Sequence, residues 1–212
     1  MVPTLYMIFV YAPADRLQGE VYRIFYIHMP LAIIGAYLSA LLLFIGSIAT
    51  MITGNLKWDR FAGCSGEMGV LFTTAQLATA VMWAKSAWGH WYVFDSRNTL
   101  HLVLYLIFIA YVMLRAYLPE PSKRAKLSAV FGLLGMIDVP INYLAIYLFR
   151  VQHPEPVVSP GGGGIDPEMA RTLLVAFIAV GFLYAYIFAR RLTIAKIEEE
   201  VDYLTQAALA NE

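Results

Sequence analysis

The stretch LAIIGAYLSALLLFIGSIATMIT, residues 31–53, contains no Asp, Glu, Lys or Arg. A helix needs about 20 apolar residues to cross the hydrocarbon core of a bilayer, so this stretch predicts a membrane span. Three further segments share the property: residues 68–84, 98–114 and 172–189. Because lipid offers the backbone no hydrogen-bond partners, all four are expected to be helices.

The composition of the whole chain agrees with this prediction. The 212 residues are 60% hydrophobic and 14% charged, with a mean hydropathy of +0.64. A soluble domain of this length carries roughly a quarter charged residues, so the chain is expected to be an integral membrane protein. The formal net charge of zero gives no indication of nucleic-acid binding. The single cysteine, Cys64, excludes an internal disulfide.

Two further segments are less regular. The stretch between Lys126 and Arg150 is apolar except for Asp138 and Pro140, and it predicts a fifth span. Residues 1–14 are apolar but cover only about 21 Å as a helix, against a hydrocarbon core of about 30 Å. The expected fold is therefore an all-α bundle of five full spans plus a shortened N-terminal one, forming a single domain over residues 1–212.

The charge of Asp138 costs roughly 2.5–3.5 kcal/mol near the middle of a span, so it should face the bundle interior. We interpret Asp138 as making a structural hydrogen bond near Pro140, in preference to a role in a functional polar site.

Basic residues predict the orientation, because loops on the cytoplasmic side of a membrane are enriched in Lys and Arg. Nine basic residues fall on one side of the predicted spans and six on the other. The nine are Lys57, Arg60, Arg115, Lys123, Arg124, Lys126, Arg190, Arg191 and Lys196. That side is assigned to the cytoplasm, with residues 197–212 as a polar helical tail.

The segment AWGHWYVFDSR, residues 87–97, falls on the outer side and is unusually aromatic. An interfacial belt of amphipathic rings explains two or three of its aromatic residues. The uninterrupted run also predicts a platform on which a large planar ligand stacks, and Arg97 or Lys85 could pair with a carboxylate at the ligand's edge. The aromatic residues of the platform are Trp88, Trp91, Tyr92 and Phe94, and Asp95 closes the run.

Two histidines lie beside prolines at the outer ends of predicted spans. His28 precedes Pro30, at which the helix is expected to begin, and His153 follows the fifth span. Two imidazoles fixed in this way could ligate the metal of a flat macrocycle from both faces. Surface histidines near helix ends are also common, and His90 and His101 remain possible alternative ligands.

The order of these motifs resembles one family, cytochrome c maturation protein C. The resemblance is carried by APAD-x-x-QG (12–19), YRIFYIHMP (22–30), WGHWYVFDSRNT (88–99) and the outer His153. It implies six spans with both termini in the cytoplasm, and haem b held at the outer face between His28 and His153. The tryptophan-rich loop would contact the haem through Trp88, Trp91, Tyr92, Phe94, Asp95 and Arg97.

The resemblance also implies partners and a location. The haem would pass to a periplasmic haem chaperone, and the protein would work with the ATPase and permease subunits of an ABC transporter and a small single-span protein. The chain would be a multi-pass protein of the bacterial plasma membrane and a haem carrier, not an enzyme. It departs from the family in having Tyr92 and Phe94 where tryptophan is usual, and in having His90 and His101.

Three alternative functions are weighed against this one. A related haem lyase is larger than 212 residues. A b-type haem electron carrier needs paired histidines inside neighbouring spans, whereas only His101 is predicted to lie inside one. An ABC permease subunit would explain the helices but not the aromatic loop.

Overall fold

The computed structural model describes residues 1–149 and 165–210. Within these residues the chain forms helices and no strand, which confirms the predicted all-α fold. The six helices of the described part are α1 (Val2–Tyr11), α2 (Glu20–Thr53), α3 (Leu56–Trp88), α4 (Ser96–Tyr117), α5 (Pro121–Leu148) and α6 (Pro167–Leu209).

The predicted spans all lie in helices, but these helices differ in apolarity. Four of the described helices, α2, α4, α5 and α6, are long and apolar enough to cross a membrane. The segment 68–84 lies in α3, which is long enough but less apolar. The reason is its position: α3 packs against α2, α4 and α6, so much of its surface meets protein instead of lipid.

Small residues allow α3 to approach its neighbours closely. A Cβ atom added at Gly69 would overlap the ring of Phe108 on α4, and one at Gly66 would overlap the ring of Tyr111. Helices in membranes associate largely through such close packing, because lipid provides little hydrophobic driving force between them. The glycines of α3 therefore fix the α3–α4 contact, and α4 begins beside the end of α3.

The start of α2 differs from the prediction. The helix begins at Glu20 and not at Pro30, so Pro30 lies inside it. The backbone widens to π-helical turns over Leu31–Tyr37, directly after this proline. Such wider turns accommodate a proline that lacks the N–H and cannot fit a regular turn. As a consequence His28 lies within the helix and is buried, and the prediction that it precedes the helix is wrong.

The short helix α1 packs beside the start of α2. Ile8 and Ala12 join a core cluster with Phe25, Tyr26 and Trp83. The Arg23 guanidinium donates hydrogen bonds to the carbonyl oxygens of Ile8 and Ala12, which satisfies carbonyls at the end of α1.

The helix α5 continues through Pro140 to Leu148. Asp138, one turn before Asn142, is only 6% exposed and faces the bundle interior, as predicted. Its Oδ2 atom has no hydrogen-bond partner among the described residues, so the predicted hydrogen bond is not made by that atom.

One end of the bundle is held together by ion pairs. Asp59 at the start of α3 accepts two hydrogen bonds from Arg115 at the end of α4. Arg191 on α6 pairs with Glu67 of α3 and with Glu198 of its own helix, and Arg60 pairs with Glu199. Residues 59–67, 115 and 191–199 that form these pairs are called the ion-pair end below. Three of the basic residues assigned to one side from the sequence, Arg60, Arg115 and Arg191, form these pairs. Beyond it, α6 runs on as an exposed helix to Leu209.

Candidate functional site

A cleft opens at the opposite end of the bundle, where α3 ends and α4 begins. It is lined by His28, Met29, Ala32, Tyr37, Gln76, Ala80, Trp83, Ala84, Trp88, Tyr92, Val93, Arg97, Asn98 and His101. Three helices and the aromatic loop thus contribute to one site.

The structure brings only part of the predicted ligand set together. His28, Trp88, Tyr92 and Arg97 line the cleft. Trp91 and Phe94 do not line it; they are 63% and 80% exposed. Asp95 caps the first turn of α4, and His153 lies outside the described residues. The predicted platform is therefore divided between a lining half and an exposed half.

The hydrogen bonds of His28 determine which ring nitrogen carries the lone pair. The Thr79 hydroxyl donates its single proton to the carbonyl oxygen of Gln76, at 2.7 Å. Its oxygen, 3.1 Å from His28 Nδ1, must then accept the Nδ1 proton. In this arrangement Nε2 of the neutral imidazole is unprotonated, and it accepts from the Gln76 amide nitrogen 3.4 Å away. In metal-ligating histidines, a hydrogen bond from the other ring nitrogen to a neighbouring group usually orients the ring.

Two tryptophans stack beside this histidine. Trp83 is 4% exposed, and its indole N–H donates to Gln18 Oε1 at 2.7 Å. Its ring meets His28 edge-on at 5.6 Å and lies nearly parallel to Trp88, with centroids 6.4 Å apart. The ring surface at the cleft therefore comes from Trp83 and Trp88, at the end of α3, and not from Trp91.

The short loop after α3 holds its shape through local contacts. Gly89, at φ +78°, ends α3 in the left-handed region, where a side chain would be strained. Asp95 Oδ1 accepts the backbone N–H of Asn98, and the Tyr92 hydroxyl donates to the Asn98 carbonyl oxygen. Burial, followed by the nearby Asp95 carboxylate, raises the pKa of the Tyr92 phenol, which keeps it protonated as a donor.

Arg97 and His101 bring α4 to the cleft. Arg97 lines it, and its Nη1 atom is buried without a hydrogen-bond partner among the described residues. His101, 6% exposed, lines the same cleft, and its ring centroid lies 5.8 Å from that of Tyr37. His90 is exposed. Two buried histidines on neighbouring helices thus line one site, which removes the sequence-based reason for excluding a b-type carrier.

This combination suits a flat ligand with a metal and an anionic edge. An imidazole nitrogen with a lone pair can ligate a metal, stacked rings can contact a plane, and a guanidinium can pair with a carboxylate. The described residues contain no cluster of three or more His, Cys, Asp or Glu that could hold a bare metal ion.

Sequence reasoning missed Gln76, Thr79 and Trp83 as residues of the site. Gln76 and Thr79 are polar residues three positions apart within a predicted span. Polar side chains inside a span usually face the bundle and make hydrogen bonds there, so this spacing was an available signal.

Comparisons with known proteins give the same family as the sequence motifs. A family model described as CcmC, Heme exporter protein C, matches residues 1–206. Heme exporter protein C of Bradyrhizobium diazoefficiens is 32% identical over 179 residues, which cover 82% of this chain and 66% of that protein. The Escherichia coli K12 protein of the same name is 33% identical over 148 residues, covering 68% and 59%.

A more distant relative comes from a plant. A putative cytochrome c biosynthesis ccmC-like mitochondrial protein of Marchantia polymorpha is 28% identical over 187 residues, covering 87% of this chain and 78% of that protein. The matched regions cover only 66% and 59% of the length of the two bacterial relatives. With nearly its whole length matched by the family model, the chain belongs to the Heme exporter protein C (CcmC) family.

Proposed function

We propose that this protein binds haem b at the outer face of the bacterial plasma membrane and passes it to a periplasmic haem chaperone for cytochrome c assembly. The observation that carries the proposal is the cleft in which His28, Trp88 and Arg97 meet. The printed names of the relatives, a heme exporter and a cytochrome c biosynthesis protein, support the same function.

In this proposal His28 Nε2 and His153 ligate the iron from opposite faces. Trp88 and Tyr92 pack against the porphyrin plane, and Arg97 pairs with an ionised propionate. His101 is the competing second ligand, because it lines the same cleft as His28. Asp95 contributes indirectly by capping α4. Trp91 and Phe94 cover the outer rim of the site from their exposed positions.

The work of the protein is then binding and presentation, not catalysis. Its own residues orient the haem, exclude water from one face and neutralise the carboxylate edge. The ion-pair end and the α6 tail lie in the cytoplasm, on the side where the ATPase subunit of an ABC transporter would act. The permease subunit and a small single-span protein are proposed to pack beside the bundle within the membrane.

Absorption spectra of the purified full chain from haem-replete cells test the proposal. We expect a bis-histidine haem spectrum that Ala substitution of His28 abolishes. The exposed His90 provides the matched control, and His90→Ala should leave the spectrum unchanged. His153→Ala and His101→Ala identify the second ligand, since only the ligating residue should change the spectrum. A wild-type chain that binds no haem, or a His28→Ala spectrum identical to wild type, would contradict the proposal.

A further inference from the structure

A groove at the ion-pair end lies between the start of α3 and the part of α6 that follows its apolar segment, and we call it the α3–α6 groove. It is lined by Asn55, Lys57, Trp58, Arg60, Phe61, Leu192, Thr193 and Lys196. Three of these residues are basic, and no acidic residue among the described ones lines the groove. The proposed haem contacts use none of its residues. The question is what balances its positive charge.

A neighbouring cleft at the same end shows how the chain pairs its other basic side chains. Four arginines and four acids line that cleft: Arg60, Arg115, Arg124, Arg191, Glu67, Glu198, Glu199 and Asp202. Arg60 lines both sites and pairs with Glu199. Lys57 and Lys196 are exposed, and no ion pair within the described residues involves either of them. The α3–α6 groove therefore keeps two positive charges that the neighbouring cleft would have paired.

The α3–α6 groove lies at the depth expected for lipid headgroups. Lys57 follows the apolar segment 31–53 by four residues, and Lys196 follows the segment 172–189 by seven. Seven residues of helix rise about 10 Å, and a lysine can reach back toward the membrane along its aliphatic stem. Trp58, 39% exposed, is a residue type enriched at this level. The two ammonium groups are therefore within reach of headgroup phosphates.

A row of aromatic rings connects the groove with the membrane-spanning part of α6. Phe188 belongs to the apolar segment 172–189. Phe61 packs edge-on against it, with ring centroids 5.3 Å apart and planes at 88°. Trp58 packs edge-on against Phe61 at 5.9 Å. The row thus begins inside a span and ends beside the lysines, which suits a molecule with an apolar chain and an anionic head.

We infer that the α3–α6 groove binds one anionic phospholipid, with its phosphate paired with Lys57 and Lys196 and an acyl chain along Phe61 and Phe188. Basic pockets between membrane helices recognise acidic lipid headgroups in this way. The lipid belongs to the cytoplasmic leaflet in the orientation predicted from the basic residues. The inference does not depend on haem binding, because the two sites lie at opposite ends of the bundle.

The test measures lipid binding to the full chain in detergent by native mass spectrometry. The probes are dioleoyl phosphatidylglycerol and dioleoyl phosphatidylcholine, which share the phosphate and the acyl chains but differ in net charge. We expect wild type to retain one phosphatidylglycerol and to bind phosphatidylcholine more weakly. Lys57→Gln combined with Lys196→Gln should weaken phosphatidylglycerol binding about 30-fold, or roughly fivefold for each charge removed. Lys57→Arg combined with Lys196→Arg should bind like wild type, since it keeps both charges.

The matched control is Lys123→Gln combined with Lys126→Gln, which removes two exposed lysines at the same end but outside the groove. It should bind phosphatidylglycerol like wild type. The midpoint of thermal unfolding without lipid checks that all variants fold alike. Unchanged binding after loss of Lys57 and Lys196 overturns the inference, as does an equal loss in the control. Inorganic phosphate that displaces the lipid as effectively as a second phospholipid would also overturn it, because the groove would then be a simple anion site.

Discussion

The two ends of the bundle differ in how their buried charged side chains are paired. At the ion-pair end, Asp59 is 3% exposed and receives a two-point contact from Arg115, with Arg124 at 3.8 Å. At the cleft end, Arg97 and Asp138 each keep a buried atom that has no partner among the described residues. At the first end the buried acid Asp59 is paired within the chain, although Arg124 Nε there also lacks a hydrogen-bond partner among the described residues. At the cleft end no ion pair within the described residues involves Arg97 or Asp138.

We interpret the paired buried charges as structural and the unpaired ones as functional. Burying a charge is costly, so a chain normally pairs it, as the ion-pair end does. Perturbed or unpaired groups gather where a ligand completes the arrangement. The cleft end also contains the buried histidines, whereas the ion-pair end joins α3, α4 and α6 through side chains that face each other. We therefore expect substitutions at the two ends to affect different measurements.

The largest expected effect is on stability, at the ion-pair end. Asp59→Asn should lower the free energy of unfolding by about 3–5 kcal/mol, because it leaves Arg115 buried without its counter-charge. The midpoint of thermal unfolding in detergent measures this loss. The haem spectrum of the folded fraction should not change, since the cleft lies at the other end.

The matched control at the same end is Glu199→Gln. The Glu199 side chain is 49% exposed and pairs with Arg60, so its loss should cost only about 0.2–1 kcal/mol. If the two substitutions destabilised the protein equally, burial would not explain the difference between structural and surface pairs here.

A smaller effect, on ligand affinity alone, is expected at the cleft end. Thr79→Val keeps the shape of the side chain but removes the acceptor for His28 Nδ1–H. Haem affinity should fall about 10–100-fold, the usual cost of losing a group that orients a metal ligand. Thr74→Val on the same helix is the control, because Thr74 is exposed and does not line the cleft. If the two variants had equal affinities for haem, Thr79 would have no role in orienting His28.

The bundle could be predicted well from the sequence, because lipid allows few alternatives to an apolar helix. The segments 31–53, 98–114 and 172–189 all lie inside long helices. The one error concerns Pro30, which was taken as a helix start but lies inside α2.

The site could be predicted only in part. Sequence adjacency suggested that Trp88, Trp91, Tyr92 and Phe94 act as one platform, but only Trp88 and Tyr92 line the cleft, whereas Trp91 and Phe94 are exposed. Residues distant in sequence complete the cleft instead. Gln76 and Thr79 reach His28 only through the packing of α3 against α2, which no local pattern specifies.

The most direct test of the central claim is the position of the iron in a cryo-electron microscopy structure of the full chain with haem bound. We predict that the iron is ligated by His28 Nε2, with the porphyrin inside the cleft beside Trp88 and a propionate at Arg97. An iron ligated without His28, or a porphyrin lying outside the cleft against Trp91 and Phe94, would contradict the account.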